Sequence, residues 1–121
     1  METALVIEDN QNNMILICDI LEFNKYRVIQ AETGMLGFEI ANEKQPDFIL
    51  LDIQLPDMNG INVLEKIRTN NNTSRIPVIA MTSYTMAGDK GKFLAAGCNG
   101  YIEKPIDPTL VIMQINQALG N

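Results

Sequence analysis

Histidine is absent from this 121-residue chain, and that absence excludes more chemistry than any other count. Without an imidazole there is no histidine general base, no His metal ligand and no phosphohistidine within the chain. Cysteine is scarce. Cys18 and Cys98 fall in segments that read as helix and loop, and two distant cysteines cannot build the four-ligand cage of a structural zinc. Their plainer role is as small, reduced, apolar residues. No apolar run approaches the roughly 20 residues of a membrane helix. Met1-Glu2-Thr3-Ala4 lacks the basic opening of a signal peptide, so a cytoplasmic protein without membrane insertion is expected. Basic residues are outnumbered, 9 Lys and Arg against 15 Asp and Glu, for a net charge of −6. A nucleic-acid binder would carry a basic stripe, whereas here the cations are scattered, with Lys90 and Lys92 the nearest approach to a cluster. Neither G-x-G-x-x-G nor G-x-x-x-x-G-K-[ST] occurs, and there is no internal repeat at a solenoid period.

What is present suits one globular domain over residues 1–121. The apolar fraction of 46% and charged fraction of 20% are ordinary, and a domain of this length buries roughly two-thirds of its unfolded surface. Thr3–Ile7, Arg27–Ala31, Phe48–Leu51, Ile76–Met81 and Gly100–Glu103 read as strands. Between them lie segments with helical spacing. Met14, Ile17, Cys18 and Leu21 mark the first, with Asp9 or Asn10 as its cap. Leu36, Phe38, Ile40 and Ala41 mark the second, after the break at Thr33-Gly34. Val63, Leu64 and Ile67 mark the third. A poor helix is expected near Asp89 to Ala96, weakened by Gly88 and Gly91. The last should start near Pro108, a favoured first-turn residue, and carry Val111, Ile112, Ile115 and Leu119. Strands alternating with helices predict a parallel sheet covered on both faces, and near-continuous apolar strands are what such burial demands.

The polar residues then carry the information. Ligands of an open parallel sheet bind beyond the carboxyl ends of its strands. Glu8 and Asp9 follow the first strand, Asp52 ends the third, Thr82 follows the fourth and Lys104 the fifth. In a 2-1-3-4-5 strand order the first and third strands are neighbours, so three carboxylates would converge. Taken singly, each of these residues is more often a cap or a solvated side chain. Together, three carboxylates repel unless a cation compensates. Such a cluster suits Mg²⁺, a hard ion that takes a few carboxylates and keeps water and phosphate oxygens; Mn²⁺ is the alternative. A phosphoryl group has three charged oxygens to satisfy, and a metal, Lys104 and Thr82 would provide partners. Asp52, already ionised at neutral pH, is then free to be the nucleophile.

Four segments in order, V-I-E-D-N at 6–10, I-L-L-D-I-Q-L-P-D-M-N-G at 49–60, V-I-A-M-T-S at 78–83 and G-Y-I-E-K-P at 100–105, make the chain resemble the bacterial response-regulator receiver domain over its entire length. Single-domain members and the receivers of hybrid kinases look most similar. The resemblance implies a flavodoxin-like (βα)₅ fold with sheet order 2-1-3-4-5, and a two-component signalling module rather than an enzyme. It makes Asp52 the phosphoacceptor, with Glu8, Asp9 and the backbone carbonyl of Gln54 around Mg²⁺. Thr82 would be the switch hydroxyl and Tyr101 the aromatic that turns inward behind it. Lys104 would bind a phosphoryl oxygen and form a cis peptide with Pro105. The implied partners are a sensor histidine kinase or histidine phosphotransfer protein, docking on the first helix, and a downstream protein. The family's usual output face is the fourth helix, fifth strand and fifth helix.

Two positions depart from the commonest pattern. Glu8 stands where Asp is more frequent, so its contact with a metal is expected to be water-mediated, and Ser83 stands where Ala is usual. The glycine-containing stretch Thr85 to Gly91 predicts that the fourth helix is the least stable.

Four other readings compete. A flavodoxin-type cofactor module would need a phosphate loop where Glu8-Asp9 stands. An aspartyl-nucleophile phosphatase would carry a second Asp where Gln54 stands. A docking module independent of phosphorylation would keep the fold, and the chain could be a receiver cut from a larger hybrid kinase or regulator. The opening Met1 and the ending soon after the fifth helix favour a stand-alone protein with no output domain.

Overall fold

The computed structural model describes residues 2–83 and 89–120, and of Asp89 and Lys90 the backbone alone. Strands β1 (Thr3–Ile7), β2 (Arg27–Ala31), β3 (Phe48–Asp52), β4 (Val78–Thr82) and β5 (Gly100–Glu103) alternate with helices α1 (Gln11–Phe23), α2 (Gly34–Lys44), α3 (Gly60–Thr69), α4 (Asp89–Ala96) and α5 (Val111–Leu119). All strand pairs are parallel and the sheet order is β2-β1-β3-β4-β5, as the sequence predicts.

The central strands are apolar because both of their faces are covered. Successive side chains of a strand point to opposite faces, so each strand feeds two cores. Ala4, Val6, Phe48, Leu50, Ile79 and Met81 pack on one side with Met14, Ile17 and Leu21 of α1 and Val111 and Ile115 of α5. Leu5, Ile7, Ile49, Leu51, Val78 and Ala80 pack on the other with Val63, Leu64 and Ile67 of α3 and Phe93 of α4. Both cysteines are buried and unpaired.

In α1 all four apolar positions marked by the periodicity are buried, and Asn10 is the cap, its Oδ1 accepting from Asn13 N at 3.0 Å. Helix α2 corrects the expectation. Leu36 is exposed and Phe38 and Ile40 are half-buried, while the buried face is Gly34, Gly37 and Ala41. Gly37 lies directly on the Ile7 side chain with no room for a Cβ, so the helix meets the sheet through its smallest residues.

Two boundaries also move. Strand β4 begins at Val78 rather than Ile76, because Ile76 N donates to Thr73 O at 3.1 Å to close a turn and Pro77 has no N–H to give a ladder. Helix α5 begins at Val111 rather than Pro108. Asp107 Oδ1 accepts from Thr109 N at 2.9 Å and Thr109 Oγ1 at 2.7 Å, so residues 108–110 form a turn ahead of the helix. The Lys104–Pro105 peptide is cis. Of the stretch Thr85 to Gly91, residues 85–88 lie outside the described residues. No helix among the described residues is long and apolar enough to cross a membrane.

Candidate functional site

The sheet register assembles the site. Ile7 pairs with Leu51, Asp52 with Met81, and Thr82 with Glu103, so the residues closing β1, β3, β4 and β5 come level at one edge. Backbone bonds continue past the strands, Glu8 N to Ala31 O at 3.0 Å and Lys104 N to Thr82 O at 2.8 Å. These hold Glu8 and Lys104 as firmly as strand residues.

Glu8, Asp52 and Thr82 are buried, the first two at 1% and 2% exposure, while Asp9 is exposed. One carboxylate oxygen each from Glu8, Asp9 and Asp52 lie within 4.8 Å of one another. Lys104 reaches back over the group, with Nζ 2.7 Å from Glu8 Oε1 and 3.3 Å from Asp52 Oδ1. Asp52 Oδ1 also accepts from Gln54 N at 3.0 Å, which brings the Gln54 backbone to the acidic group. Ser83 Oγ stands 3.5 Å from Gln54 Oε1. Tyr101, level with Ala80 and two residues short of that edge on β5, is half-buried against the core that β3 and β4 share with α3.

Two anchors fix the loop after β3. Gly60 N donates to Ile53 O at 2.9 Å, and a Cβ on Gly60 would stand 2.5 Å from Ile53 Cα and 2.8 Å from Asp52 O. Only glycine lets α3 start this close to the end of β3. Asp57 in turn accepts from Gly34 N at 2.8 Å and Met35 N at 3.0 Å, joining the loop to the head of α2, where a carboxylate meets the favourable end of the helix dipole.

The electrostatics are those of a crowded acid group short of positive charge. Burial, then the adjoining Glu8 carboxyl, push Asp52 up to about 7, against the pull of Gln54 N–H and Lys104. Burial also pushes Glu8 up, but the Asp52 carboxyl, the Lys104 ammonium and the Asn10 N–H outweigh it and carry Glu8 below the usual carboxylate range. The pair therefore retains one proton toward neutrality, resting on Asp52. One ammonium does not balance three carboxylates. Glu8 Oε1 is fully buried, and the Lys104 ammonium at 2.7 Å is the cation it meets. An all-oxygen donor set that carries more negative charge than its one ammonium balances fits a hard divalent cation.

A sequence reading misses Asp57 and Arg68. Arg68 lies outside the site and binds three segments together. Its Nε donates to Gly97 O at 2.9 Å, Nη1 to Ile76 O at 2.7 Å and Ser74 O at 3.2 Å, and Nη2 to Asn99 Oδ1 at 2.9 Å. Neither residue sits in an apolar period, and the groups each bonds, mostly backbone in other segments, are brought to it by the fold.

Fold and site define a signalling receiver, and the family comparison agrees: the response regulator receiver domain matches residues 4–116, so the chain belongs to that family. It is 37% identical over 120 residues to the polar-differentiation response regulator DivK of Brucella anthropi, covering 99% of this chain and 98% of that one. Among solved structures it is similar to the receiver domain of the sensor histidine kinase PA1611 from Pseudomonas aeruginosa, with magnesium coordinated in the active site cleft. That match has 31% identity and a TM-score of 0.89, over 99% of this chain and 98% of that chain. A response regulator from Chloroflexus aurantiacus superposes at a TM-score of 0.92 over 99% and 98% of the two chains, with 22% identity, a likeness of fold.

Proposed function

We propose that the chain is a phosphorylation-switched response regulator in which Asp52 accepts the phosphoryl group of a partner's phosphohistidine. The carrying observation is the placement of Asp52, buried at the end of β3, with oxygens of Glu8 and Asp9 within 4.8 Å and Lys104 Nζ 3.3 Å away. An Asp52 oxygen attacks phosphorus in line, the P–N bond to the donor imidazole breaks, the imidazole leaves with the bonding pair and takes a proton, and an acyl phosphate remains. Because the chain has no histidine, the donor is a sensor histidine kinase or a histidine phosphotransfer protein.

Glu8, Asp9, Asp52 and the Gln54 carbonyl would hold Mg²⁺, or Mn²⁺ in its place, and such an ion neutralises charge developing on the phosphoryl oxygens. Lys104 does the same work from the other side, exchanging its contact with Asp52 for one with a phosphoryl oxygen. Thr82, at the end of β4, donates its hydroxyl to another oxygen. Its displacement toward the phosphoryl group and the inward turn of Tyr101 favour one of two conformations, and a downstream protein binds that one better. The receiver is a switch rather than an enzyme with a turned-over external substrate.

Borohydride reduction of the phosphorylated protein converts an aspartyl phosphate to homoserine. The proposal expects homoserine at position 52 in the peptide map. Homoserine elsewhere, or none in protein that carries label, contradicts it.

A further inference from the structure

The loop that brings Gln54 to the acid group is a narrow one. The Gln54 backbone faces that of Asn59 in an isolated antiparallel bridge, and Gly60 N bonds Ile53 O beside it at 2.9 Å. Leu55, Pro56, Asp57 and Met58 form the tip beyond this bridge, so a shift of the tip is carried straight to the Gln54 backbone. The tip is fastened to another element. Asp57 Oδ1 accepts from Gly34 N at 2.8 Å, and its Oδ2 accepts from Met35 N at 3.0 Å. Met58 lies against the same helix head, where a Cβ on Gly34 would stand 2.8 Å from Met58 Cγ. The N–H groups of Met35 and Gly34, then Asp57's own and that of Met58, hold Asp57 below the usual carboxylate range. It is therefore ionised at neutral pH.

Capping of α2 does not by itself account for this tie. The helix has its own cap in Thr33, whose Oγ1 accepts from Leu36 N at 3.2 Å. Asp57 and Met35 are exposed, and at an exposed helix end water serves the first N–H groups nearly as well as a side chain. What water cannot do is join two segments 23 residues apart in sequence. We propose that Asp57 is a positioning residue for the cation site: by fastening the loop tip to the head of α2, it holds the Gln54 backbone at the acid group. This role rests on the reading of Glu8, Asp9, Asp52 and the Gln54 carbonyl as the Mg²⁺ set, and it adds a residue that touches no ligand. Groups that orient metal ligands from behind set affinity nearly as strongly as the ligands do. Linkage makes the effect reciprocal. If the head of α2 steadies the cation site, an ion in that site must in turn steady the head of α2.

Mg²⁺ titration and amide hydrogen exchange, both followed by NMR on the full chain, test this role. Asp57→Ala should weaken Mg²⁺ binding about fivefold or more. Asp57→Asn keeps one acceptor and sets an amide N–H against the other donor, so it should fall between Asp57→Ala and wild type. Thr33→Ala removes the other cap of the same helix without touching the loop, and its affinity should stay within about twofold of wild type. Saturating Mg²⁺ should slow exchange at Gly34 N and Met35 N in wild type and in Thr33→Ala by a factor similar to the affinity loss. In Asp57→Ala that exchange should not respond to Mg²⁺. Unchanged affinity in Asp57→Ala, equal losses in Asp57→Ala and Thr33→Ala, or Mg²⁺-independent exchange at Gly34 and Met35 in wild type would each overturn the proposal. Phosphoryl labelling of the same samples separates the failures. Label on Asp52 of wild type together with any of those results defeats the positioning role alone. No label on a wild type that binds Mg²⁺ defeats the phosphoacceptor reading, and a wild type that binds no Mg²⁺ overturns both.

Discussion

The Lys104 ammonium stands 3.3 Å from Asp52 Oδ1, so the group read as stabilising the incoming phosphoryl already neutralises the nucleophile that receives it. The same nitrogen lies 2.7 Å from Glu8 Oε1, which makes Lys104 the counter-ion of a buried acid pair before any ligand arrives. Lys104→Met removes that charge while keeping much of the stem's volume. Removing one partner of a buried pair leaves the other uncompensated. The variant should lose about 2–4 kcal/mol of stability in metal-free buffer at pH 8, and less at pH 5, where a carboxyl is protonated. It should bind Mg²⁺ at least as tightly as wild type, yet label more slowly. Urea unfolding at two pH values and a Mg²⁺ titration read these outcomes; Mg²⁺ binding abolished by Lys104→Met would contradict this role.

A proton and a bound metal would compete for the same oxygens of Glu8 and Asp52. Asp52 is raised to about 7 in the folded, metal-free protein, above its ordinary value, so between about pH 4 and 7 the folded state holds a proton that the unfolded state releases. Metal-free stability should therefore fall as pH rises through that window. Glu8, lowered by its neighbours, contributes in the opposite sense, its share being lost as pH falls through its own folded value. The apparent Mg²⁺ affinity should climb with pH up to about 7 and then level, with proton release on binding seen by calorimetry in buffers of different ionisation enthalpy. Asp52→Asn should flatten the climb. A Mg²⁺ affinity independent of pH from 5 to 8 would contradict the shared-proton account.

Gly60 links helix packing to the site. With Asp52 O and Ile53 Cα so close to where a Cβ would be, Gly60→Ala must displace backbone at the end of β3. The variant should lose about 1–3 kcal/mol and also weaken Mg²⁺ binding, because the Asp52 and Gln54 positions move together. Gly91→Ala, with open space around the added carbon, is the control and should leave Mg²⁺ binding unchanged.

These residues show how far the sequence could be read. The strands were legible because central strands of a parallel sheet must be apolar on both faces, and the site was legible because its residues end those strands. The place of helix α2 was legible but most of its buried face was not, since its sheet-facing side is Gly34, Gly37 and Ala41, and periodicity weighs large apolar side chains. The start of α5 was misplaced because Asp107 and Thr109 close a turn where Pro108 alone suggests a helix. The pairing of Lys104 with both Glu8 and Asp52 is a matter of where a long side chain folds back, which strand order does not give.

Arg68 is the clearest residue that only the structure reveals. Its four acceptors come from the α3–β4 connection and the α4–β5 turn, and burial lowers the guanidinium's own pKa. Arg68→Ala should cost about 2–4 kcal/mol by leaving carbonyls unpaired. Arg68→Lys should recover less than half, because an ammonium cannot span the acceptors as the planar fork does. Chemical denaturation measures both, and a lysine variant as stable as wild type would contradict the fork's role.

The central claim is that Asp52 is the phosphoacceptor, and intact mass after incubation with a small-molecule phosphodonor and Mg²⁺ tests it most directly. Wild type should gain the mass of one phosphoryl group, lose it in hydroxylamine, and gain none when Mg²⁺ is chelated, while Asp52→Asn stays unmodified. Wild type gaining no phosphate, or Asp52→Asn gaining as much as wild type, would contradict the account.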